Sequence, residues 1–354
     1  MKALILSGGT GTRLRPLTYS SAKQLLPLAN KPILFYIIEK IVKAGIRDIG
    51  IIVGNTHEEV KKTVGDGRLW GAKVTYIYQP QALGLAHAVK TAAEFLGNSD
   101  FIMILGDNIF SMDLDIVIEN FYTNKANTTV LLHRVNNPSQ YGVAVVKDGR
   151  ITDVVEKPKD YISGLIITGV YVFDKTIFSA IEETPPSARG EYEITDAIRK
   201  QLEMGGKVTY ELIRGWWKDT GRLEDMLEAN RLILDELENK NTTTDYPGST
   251  ISGKVVLGEN VEIKDSIILG PAHIDQDSVI INSFIGPYTT LGKRVTVEEC
   301  ELDNCIVLSG TKLIGINKRI SNSLIGKNVS IKGGLNKKPL VSSFFVGDNS
   351  EINL

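Results

Sequence analysis

The densest group of residues able to do chemistry lies at the start of the chain. Leu6, Ser7, Gly8, Gly9, Thr10, Gly11, Thr12, Arg13, Leu14, Arg15 and Pro16 follow a short apolar run. Three glycines let a backbone turn tightly and bring its N–H groups against a phosphate. Arg13 adds a fork of donors suited to phosphate oxygens. Two common phosphate loops are excluded: no Gly-Lys-Ser/Thr ends this one, and Leu14 stands where the dinucleotide fingerprint needs its third glycine. A glycine turn alone says little. Followed by Lys23-Gln24-Leu25-Leu26-Pro27, it points to a phosphate-bearing ligand.

Two carboxylates stand out further along. Asp107, in Leu105-Gly106-Asp107-Asn108, follows a buried apolar run, and ligands of open α/β sheets sit at the C-terminal ends of such strands. Asp219, in Trp216-Trp217-Lys218-Asp219-Thr220-Gly221, reads as part of a glycine-bounded, aromatic-flanked turn. Two hard oxygen ligands completed by substrate phosphates suit Mg²⁺, which rarely takes an all-protein cage. Read alone, Asp107 also fits a helix cap or turn. Gln24 and Gln79 can each offer a donor and an acceptor to a pyrimidine edge.

These residues need strands and helices to position them. Lys2 to Leu6 reads as a buried strand, and Pro32 to Ala44 as a helix, with Ile33, Ile37, Ile38 and Ile41 at three- and four-residue steps and Gly45 as its C-cap. Strands at Asp48 to Val53, Lys73 to Tyr78 and Phe101 to Leu105 alternate with helices at Glu58 to Val64 and Ala86 to Phe95. Such alternation implies a mostly parallel sheet covered on both faces. Beyond Thr128, strands dominate: Val130 to Val135, Val143 to Val146, Ile151 to Glu156 and Leu165 to Phe173. Helices return at Lys175 to Ile181, Ile194 to Met204 and Arg222 to about Glu238.

The stretch from Asn239 to Ser249 is rich in Asn, Thr, Pro and Gly and reads as a linker. Beyond it the sequence repeats. Ile251, Leu257, Ile263 and Leu269 fall six residues apart, as do Ile285, Leu291 and Val297, and then Ile325 and Ile331. Glycine follows several of them, as in Leu257-Gly258 and Ile285-Gly286. That period fits a hexapeptide β-helix, each apolar residue pointing into a narrow prism and each small residue sitting at a tight bend. The phase breaks between Asp303 and Ser323, where an interruption or bulge is expected.

Composition narrows the function classes. The chain has 354 residues, enough for two or three domains, with 42% hydrophobic and 23% charged residues. Its formal net charge of −2 gives no reason to expect nucleic acid or an anionic membrane as partner. The only cysteines, Cys300 and Cys305, read as reduced, part-buried thiols. The apolar run from Ala3 to Leu6 is too short for a signal-peptide core, and no stretch approaches a membrane span. A cytoplasmic location is expected.

Taken together, the Gly-Gly-Thr-Gly-Thr-Arg-Leu-Arg-Pro-Leu-Thr loop, the Lys after it and the later motifs resemble the sugar-1-phosphate nucleotidyltransferases. The likeness is greatest to the branch that transfers thymidylyl groups to glucose 1-phosphate, in its longer form with a C-terminal β-helix. It covers roughly residues 1 to 235, and the tail more loosely. The resemblance implies a Rossmann-like, mixed but mostly parallel α/β domain over 1–240, a linker over 241–249 and a left-handed β-helix over 250–354. It implies that dTTP and glucose 1-phosphate yield dTDP-glucose and pyrophosphate, with Mg²⁺ on Asp107 and Asp219.

By the same resemblance, Leu6, Gly8, Gly9, Gly11, Thr12, Arg13, Gln24, Gln79 and Gly84 bind the nucleotide. Arg13, Lys23 and Asp107 carry catalysis. Tyr141, Gly142, Glu156, Lys157, Gly169, Val170 and Glu191 bind the sugar phosphate, with Lys157 on its phosphate. Glu191 also fits a plain helix N-terminal charge. Leu83 stands where the family's short forms commonly carry Asp. UTP or GTP in place of dTTP, another sugar phosphate, and a catalytically silent subunit all stay open. The tail is expected to assemble copies of the chain. His273, its only histidine, is the one candidate base for an acyl transfer there.

Overall fold

The structure is a computed structural model, and it describes residues 1–9, 11–238, 246–333, 341–342 and 344–353. Residues 241–245 of the expected linker lie outside the described residues. Among the described residues, no helix is long and apolar enough to cross a membrane. Compactness groups the chain into two units that do not follow sequence order. One comprises Met1–Thr10 with Ile33–Asp219, the other Gly11–Pro32 with Thr220–Leu354.

The first unit is built on a mixed sheet. Strands β1 (Lys2–Ser7), β2 (Asp48–Val53), β3 (Lys73–Tyr78) and β4 (Phe101–Leu105) are parallel, in the order β4-β1-β2-β3. Ala3, Leu4, Ile5, Ile49, Ile51 and Ile52 have no exposed surface. Such continuous apolar runs are what a sheet buried on both faces requires. Helix α1 (Ile33–Lys43) presents Ile33, Leu34, Ile37, Ile38 and Ile41 on one buried face. It closes at Gly45, whose φ of 79° is the left-handed geometry a helix C-cap favours.

The register makes the four parallel strands finish level: Ser7 pairs with Val53, Val53 with Tyr78, and Leu6 with Leu105. The segments after them, Gly8-Gly9, Gly54, Gln79-Pro80 and Gly106-Asp107, therefore share the C-terminal edge. Helices α2 (His57–Val64) and α3 (Leu85–Thr91) connect within this half. The helix expected over Ala86 to Phe95 is divided at Ala92, and a further turn runs over Ala93–Leu96.

Past β4 the chain makes a short strand β5 (Asn108–Phe110) and helix α4 (Asp115–Thr123). The sheet then grows from β6 (Thr128–Arg134), β7 (Gly142–Lys147), β8 (Arg150–Glu156) and β9 (Leu165–Phe173). Strand β9 lies antiparallel to β4, with Val170 opposite Ile104, and antiparallel to β6. β7 and β8 form a hairpin that sets Gly142 opposite Glu156. Helices α5 (Ile177–Glu182) and α6 (Ile194–Glu203), and strand β10 (Val208–Leu212) beside β6, follow. Strand β11 (Trp217–Asp219) pairs antiparallel with β5 in a separate two-stranded ribbon. The expected turn around Asp219 is thus a strand end.

The second unit contains helix α7 (Leu223–Asp235) and a stack of parallel strands that fits a β-helix. Ile251 lies beside Ile268, Ile268 beside Ile285, Ile285 beside Leu302, and Leu302 beside Ile320. Most coils therefore take 17 residues rather than three hexads. The missing residue corrects one expectation. Counting by six from Ile263 lands on Leu269, but Leu269 is 36% exposed and Ile268 is the side chain sealed inside.

The phase break between Asp303 and Ser323 is a change of spacing, with no interruption. Glu301–Val307 and Arg319–Ile325 run side by side, Leu302 against Ile320 and Val307 against Ile325. Glycine follows the strand Val255–Leu257 at Gly258, ahead of a turn. Gly258 has no positive φ, but a Cβ there would lie 2.4 Å from the backbone nitrogen of Gln276 in the next coil. It is needed for coil-to-coil approach. Left-handed backbone is taken by Asn260, Asp265, Asp277, Asn282, Asn304 and Asn328, residue types that tolerate it, by Gly253, Gly310 and Gly315, and also by Tyr288, Arg294 and Glu299. Cys300 and Cys305 are buried in the stack and free. Burial pushes their thiols up, to about 11 and about 12.

Candidate functional site

On the C-terminal edge of the first unit, the glycine loop and the Gln79 segment meet. A Cβ on Gly8 would sit 3.3 Å from Gln79 Oε1, and one on Gly54 would sit 3.1 Å from the Gly8 carbonyl oxygen. Gln79 is buried, and its Nε2 donates to His87 Nδ1 at 2.8 Å. Gly84 has φ 105°, and a Cβ there would strike the Tyr192 carbonyl oxygen at 2.5 Å. Only glycine permits that approach. The same stretch is tied to Tyr192 by two backbone bonds, Tyr192 N to Leu83 O at 2.7 Å and Ala86 N to Tyr192 O at 3.0 Å. Leu6, one residue before the end of β1, is buried.

The segments that carry the two candidate metal carboxylates run next to each other. The β5–β11 ribbon sets Asp219 opposite Asn108, the neighbour of Asp107. Asn108 Nδ2 donates to Asp107 Oδ1 at 2.8 Å, and Asn108 Oδ1 accepts from Trp217 Nε1 at 2.8 Å. Trp217 Nε1 also reaches the Thr168 carbonyl oxygen at 3.0 Å, tying the ribbon to β9 just before Gly169. Among the described residues, no cluster of three or more His, Cys, Asp or Glu could hold a metal ion. Two carboxylates on adjacent segments fit a hard cation that draws its remaining oxygens from phosphates and water.

The third group surrounds Glu156. Gly142 faces it across the hairpin, where a Cβ would lie 3.1 Å from Glu156 Oε2. Lys157, at φ 43°, returns its N–H to the Tyr141 carbonyl oxygen at 3.0 Å. Its Nζ lies 3.4 Å from Glu156 Oε1. Thr195 Oγ1 donates to Glu156 Oε2 at 3.1 Å. The Tyr141 ring packs edge-on against Trp217, centroids 5.7 Å apart. Gly169, at φ 77°, lies against the Leu105 side chain, and Val170 is fully buried beside it.

Arg189 reaches Glu193 at 2.6 Å, Glu156 at 3.5 Å and Glu191 at 3.6 Å. Burial raises the Glu156 carboxyl above the ordinary range, and nearby Lys157, Thr195 and Arg189 only partly oppose it. Burial likewise pushes His133, beside the Trp217 ring, down.

Gly11, Thr12, Arg13, Lys23 and Gln24 belong to the second unit. Gly11 is left-handed at φ 60°, and its carbonyl oxygen accepts from Thr18 Oγ1 at 2.7 Å. Thr12 and Arg13 are exposed in a short helical turn, whereas Lys23 and Gln24 are buried in another. Gln24 Oε1 is buried without a hydrogen-bond partner among the described residues. Such an acceptor is costly unless a ligand supplies a donor.

The end of this segment is fixed on the stack of parallel strands. His273 Nδ1 donates to the Ala29 carbonyl oxygen at 2.9 Å, and Asn30 Nδ2 donates to the carbonyl oxygens of His273 and Leu291 at 3.1 and 2.9 Å. Burial lowers the His273 pKa. One of its ring nitrogens is thus committed to holding the segment.

Sequence reasoning did not single out His87, Asn108, Arg189 or Glu193 as site residues. Gly-Leu-Ala-His and Gly-Asp-Asn were visible, but only pairing across distant segments shows what these side chains hold.

With that geometry established, comparisons with known proteins place the chain. The profile of the family described as nucleotidyl transferase matches residues 2–236. A glucose-1-phosphate thymidylyltransferase of Streptomyces antibioticus is 43% identical over all of this chain and 99% of its own. The low-salt glycan biosynthesis nucleotidyltransferase Agl11 of Haloferax volcanii is 42% identical over the full length of both. A crystal structure of UDP-glucose pyrophosphorylase complexed with UDP-glucose superposes with a TM-score of 0.59 and 28% identity, covering 66% of this chain and 98% of that one. The chain belongs to the nucleotidyl transferase family.

Proposed function

We propose that this protein is a glucose-1-phosphate thymidylyltransferase, joining dTTP to glucose 1-phosphate with release of pyrophosphate. The observation that carries the reading is the two-stranded ribbon that sets Asp219 opposite Asn108, the neighbour of Asp107, where Asp107 follows β4 at a sheet edge that also holds Gly8 and Gln79. Full-length similarity to a thymidylyltransferase supports the choice of base and sugar.

An oxygen of the sugar phosphate attacks the α-phosphorus of the nucleotide, the bond to the β-phosphate oxygen breaks, and pyrophosphate leaves with the electron pair. The nucleophile is already ionised near neutral pH, so no general base is needed, and positioning and charge neutralisation carry catalysis. Asp107 and Asp219 would hold Mg²⁺, which supplies charge neutralisation for the phosphates. Lys157 orients the sugar phosphate. Glu156, Glu191 and the Tyr141-Gly142 backbone, with Gly169 and Val170, receive the sugar hydroxyls. Leu6, Gly8, Gly9, Gln79 and Gly84 bind the nucleoside. Gly11, Thr12 and Arg13 hold the departing pyrophosphate, Lys23 neutralises charge on the α-phosphate, and Gln24 offers its buried acceptor to the base.

The tail is proposed to be a left-handed β-helix that mediates homo-oligomerisation, beginning near residue 250. The reaction is assigned to the cytoplasm. Pyrophosphate release with Mg²⁺ and glucose 1-phosphate, run with dTTP, UTP, GTP, CTP and ATP in parallel, tests the reading. Preference for dTTP supports it. Equal use of UTP moves the protein to the uridylyl branch, and silence with every nucleotide refutes it for this sugar. Asp107→Ala should abolish turnover in a folded protein. Near-normal activity of that variant would remove the metal assignment.

A further inference from the structure

Gln79 is read above as a residue that meets the base, and this inference rests on that reading. Its carboxamide has two chemically opposite ends: Oε1 accepts and Nε2 donates. Nε2 lies 2.8 Å from His87 Nδ1. An amide nitrogen has only hydrogens to offer, so Nδ1 accepts and the ring proton sits on Nε2. With Nε2 so engaged, Oε1 is the end that stands over Gly8, 3.3 Å from where a Cβ on that residue would be.

His87 is itself held. It lies at the start of α3, with its ring stacked on Tyr192 at a centroid distance of 6.4 Å and an interplanar angle of 29°. Tyr192 cannot drift, because its backbone is bonded to Leu83 and Ala86 on either side of Gly84.

We propose that His87 is a positioning residue for base selection. It locks the Gln79 carboxamide with the acceptor end toward the nucleotide. An acceptor there suits the N3–H of thymine or uracil and meets a lone pair on N3 of cytosine. Were the ring to offer a hydrogen at Nδ1, the carboxamide would have to turn round and present its donor end, inverting that preference.

Steady-state kinetics of the full-length enzyme with dTTP, UTP and CTP test the assignment. His87→Phe keeps a ring to stack on Tyr192 but has no acceptor. It should raise KM for dTTP and UTP about tenfold, the scale of one lost buried hydrogen bond, with kcat and the KM for sugar phosphate within about twofold. The preference for dTTP over CTP should fall by a similar factor. His87→Asn, which restores an acceptor at similar reach, should recover most of both. In the double variant with Gln79→Ala, His87→Phe should add nothing, because it acts only through Gln79.

Wild-type KM and preference in His87→Phe would overturn the proposal, as would effects that multiply in the double variant. If the Phe variant does not fold, His87→Ala asks the same question by the same readouts. Gln79→Ala alone reports on the underlying reading. If it leaves base preference intact, Gln79 does not read the base and the role of His87 falls with it. If it abolishes preference while His87→Phe does not, only the positioning role is lost.

Discussion

Asn30→Ala measures how firmly the stack of parallel strands holds the segment that carries Arg13, Lys23 and Gln24. Asn30 sits at φ 62° and donates to two carbonyl oxygens, those of His273 and Leu291, on neighbouring coils. Losing two neutral hydrogen bonds costs about 2 kcal/mol net. Alanine in left-handed backbone costs about 1 kcal/mol more, since asparagine tolerates that geometry better. The segment has other anchors: His273 to Ala29, Asn230 to the Ala29 N–H at 2.8 Å, and Ser20 to Asp348 at 2.6 Å. It should therefore remain docked but open more often.

A loss of about 3 kcal/mol is roughly a 100-fold rise in the open population, so amide exchange through local opening accelerates on that order. Hydrogen-exchange mass spectrometry reads it directly. Peptides covering 14–26, where the N–H groups of Leu14, Leu25 and Leu26 are bonded within turns, should exchange far faster. A peptide over Phe101–Leu105, buried in the central sheet, should not change. KM for the nucleoside triphosphate should rise in parallel. Exchange in 14–26 within about twofold of wild type would refute the reasoning, because it would mean that the Asn30 bonds do not restrain the segment.

Gly84→Ala forces a Cβ to within 2.5 Å of the Tyr192 carbonyl oxygen at a φ of 105°, so weaker nucleotide binding and a lower Tm are expected by titration and thermal denaturation. Glu156→Gln tests the raised carboxyl. A raised native pKa adds stability fully present below the ordinary value of 4.5 and lost as pH rises through the native value, so the variant should gain on wild type as pH is raised through that window. Its affinity for the sugar phosphate should fall over the same range, which a stability role alone does not require. Cys300 and Cys305, their thiols pushed up to about 11 and about 12, should react with a thiol reagent at neutral pH only after denaturation.

Periodicity made the parallel half of the sheet legible. The runs at Lys2–Ser7, Asp48–Val53, Lys73–Tyr78 and Phe101–Leu105 are short, apolar and bounded by glycine or polar turns, and each is a strand within a residue of its expected limits. The ribbon that seats Asp219 was not legible. Asn108–Phe110 and Trp217–Asp219 are three residues each, too short for alternation to register, and their pairing spans more than a hundred residues of sequence. The coil repeat was visible, but its length was not. Apolar residues at 251, 257 and 263 announce a hexad, while the one-residue shortfall before Ile268 hides because Leu269 is also apolar.

The division of the candidate residues between two compact units is the feature that sequence order conceals most. Residues 11–32 interrupt the α/β unit in sequence, yet Ala29 and Asn30 are bonded to α7 and to two coils that follow them by some two hundred residues or more. Asn230 links these layers, accepting from the Ala29 N–H and donating to the Tyr288 carbonyl oxygen at 3.2 Å, with no exposed surface of its own. The family profile ends at residue 236, so it includes Asn230 but none of His273, Leu291 or Asp348. In this protein, then, the repeat tail takes part in placing the loop whose arginine and lysine we assign to catalysis. A substitution at His273 should change nucleotide KM before it changes assembly.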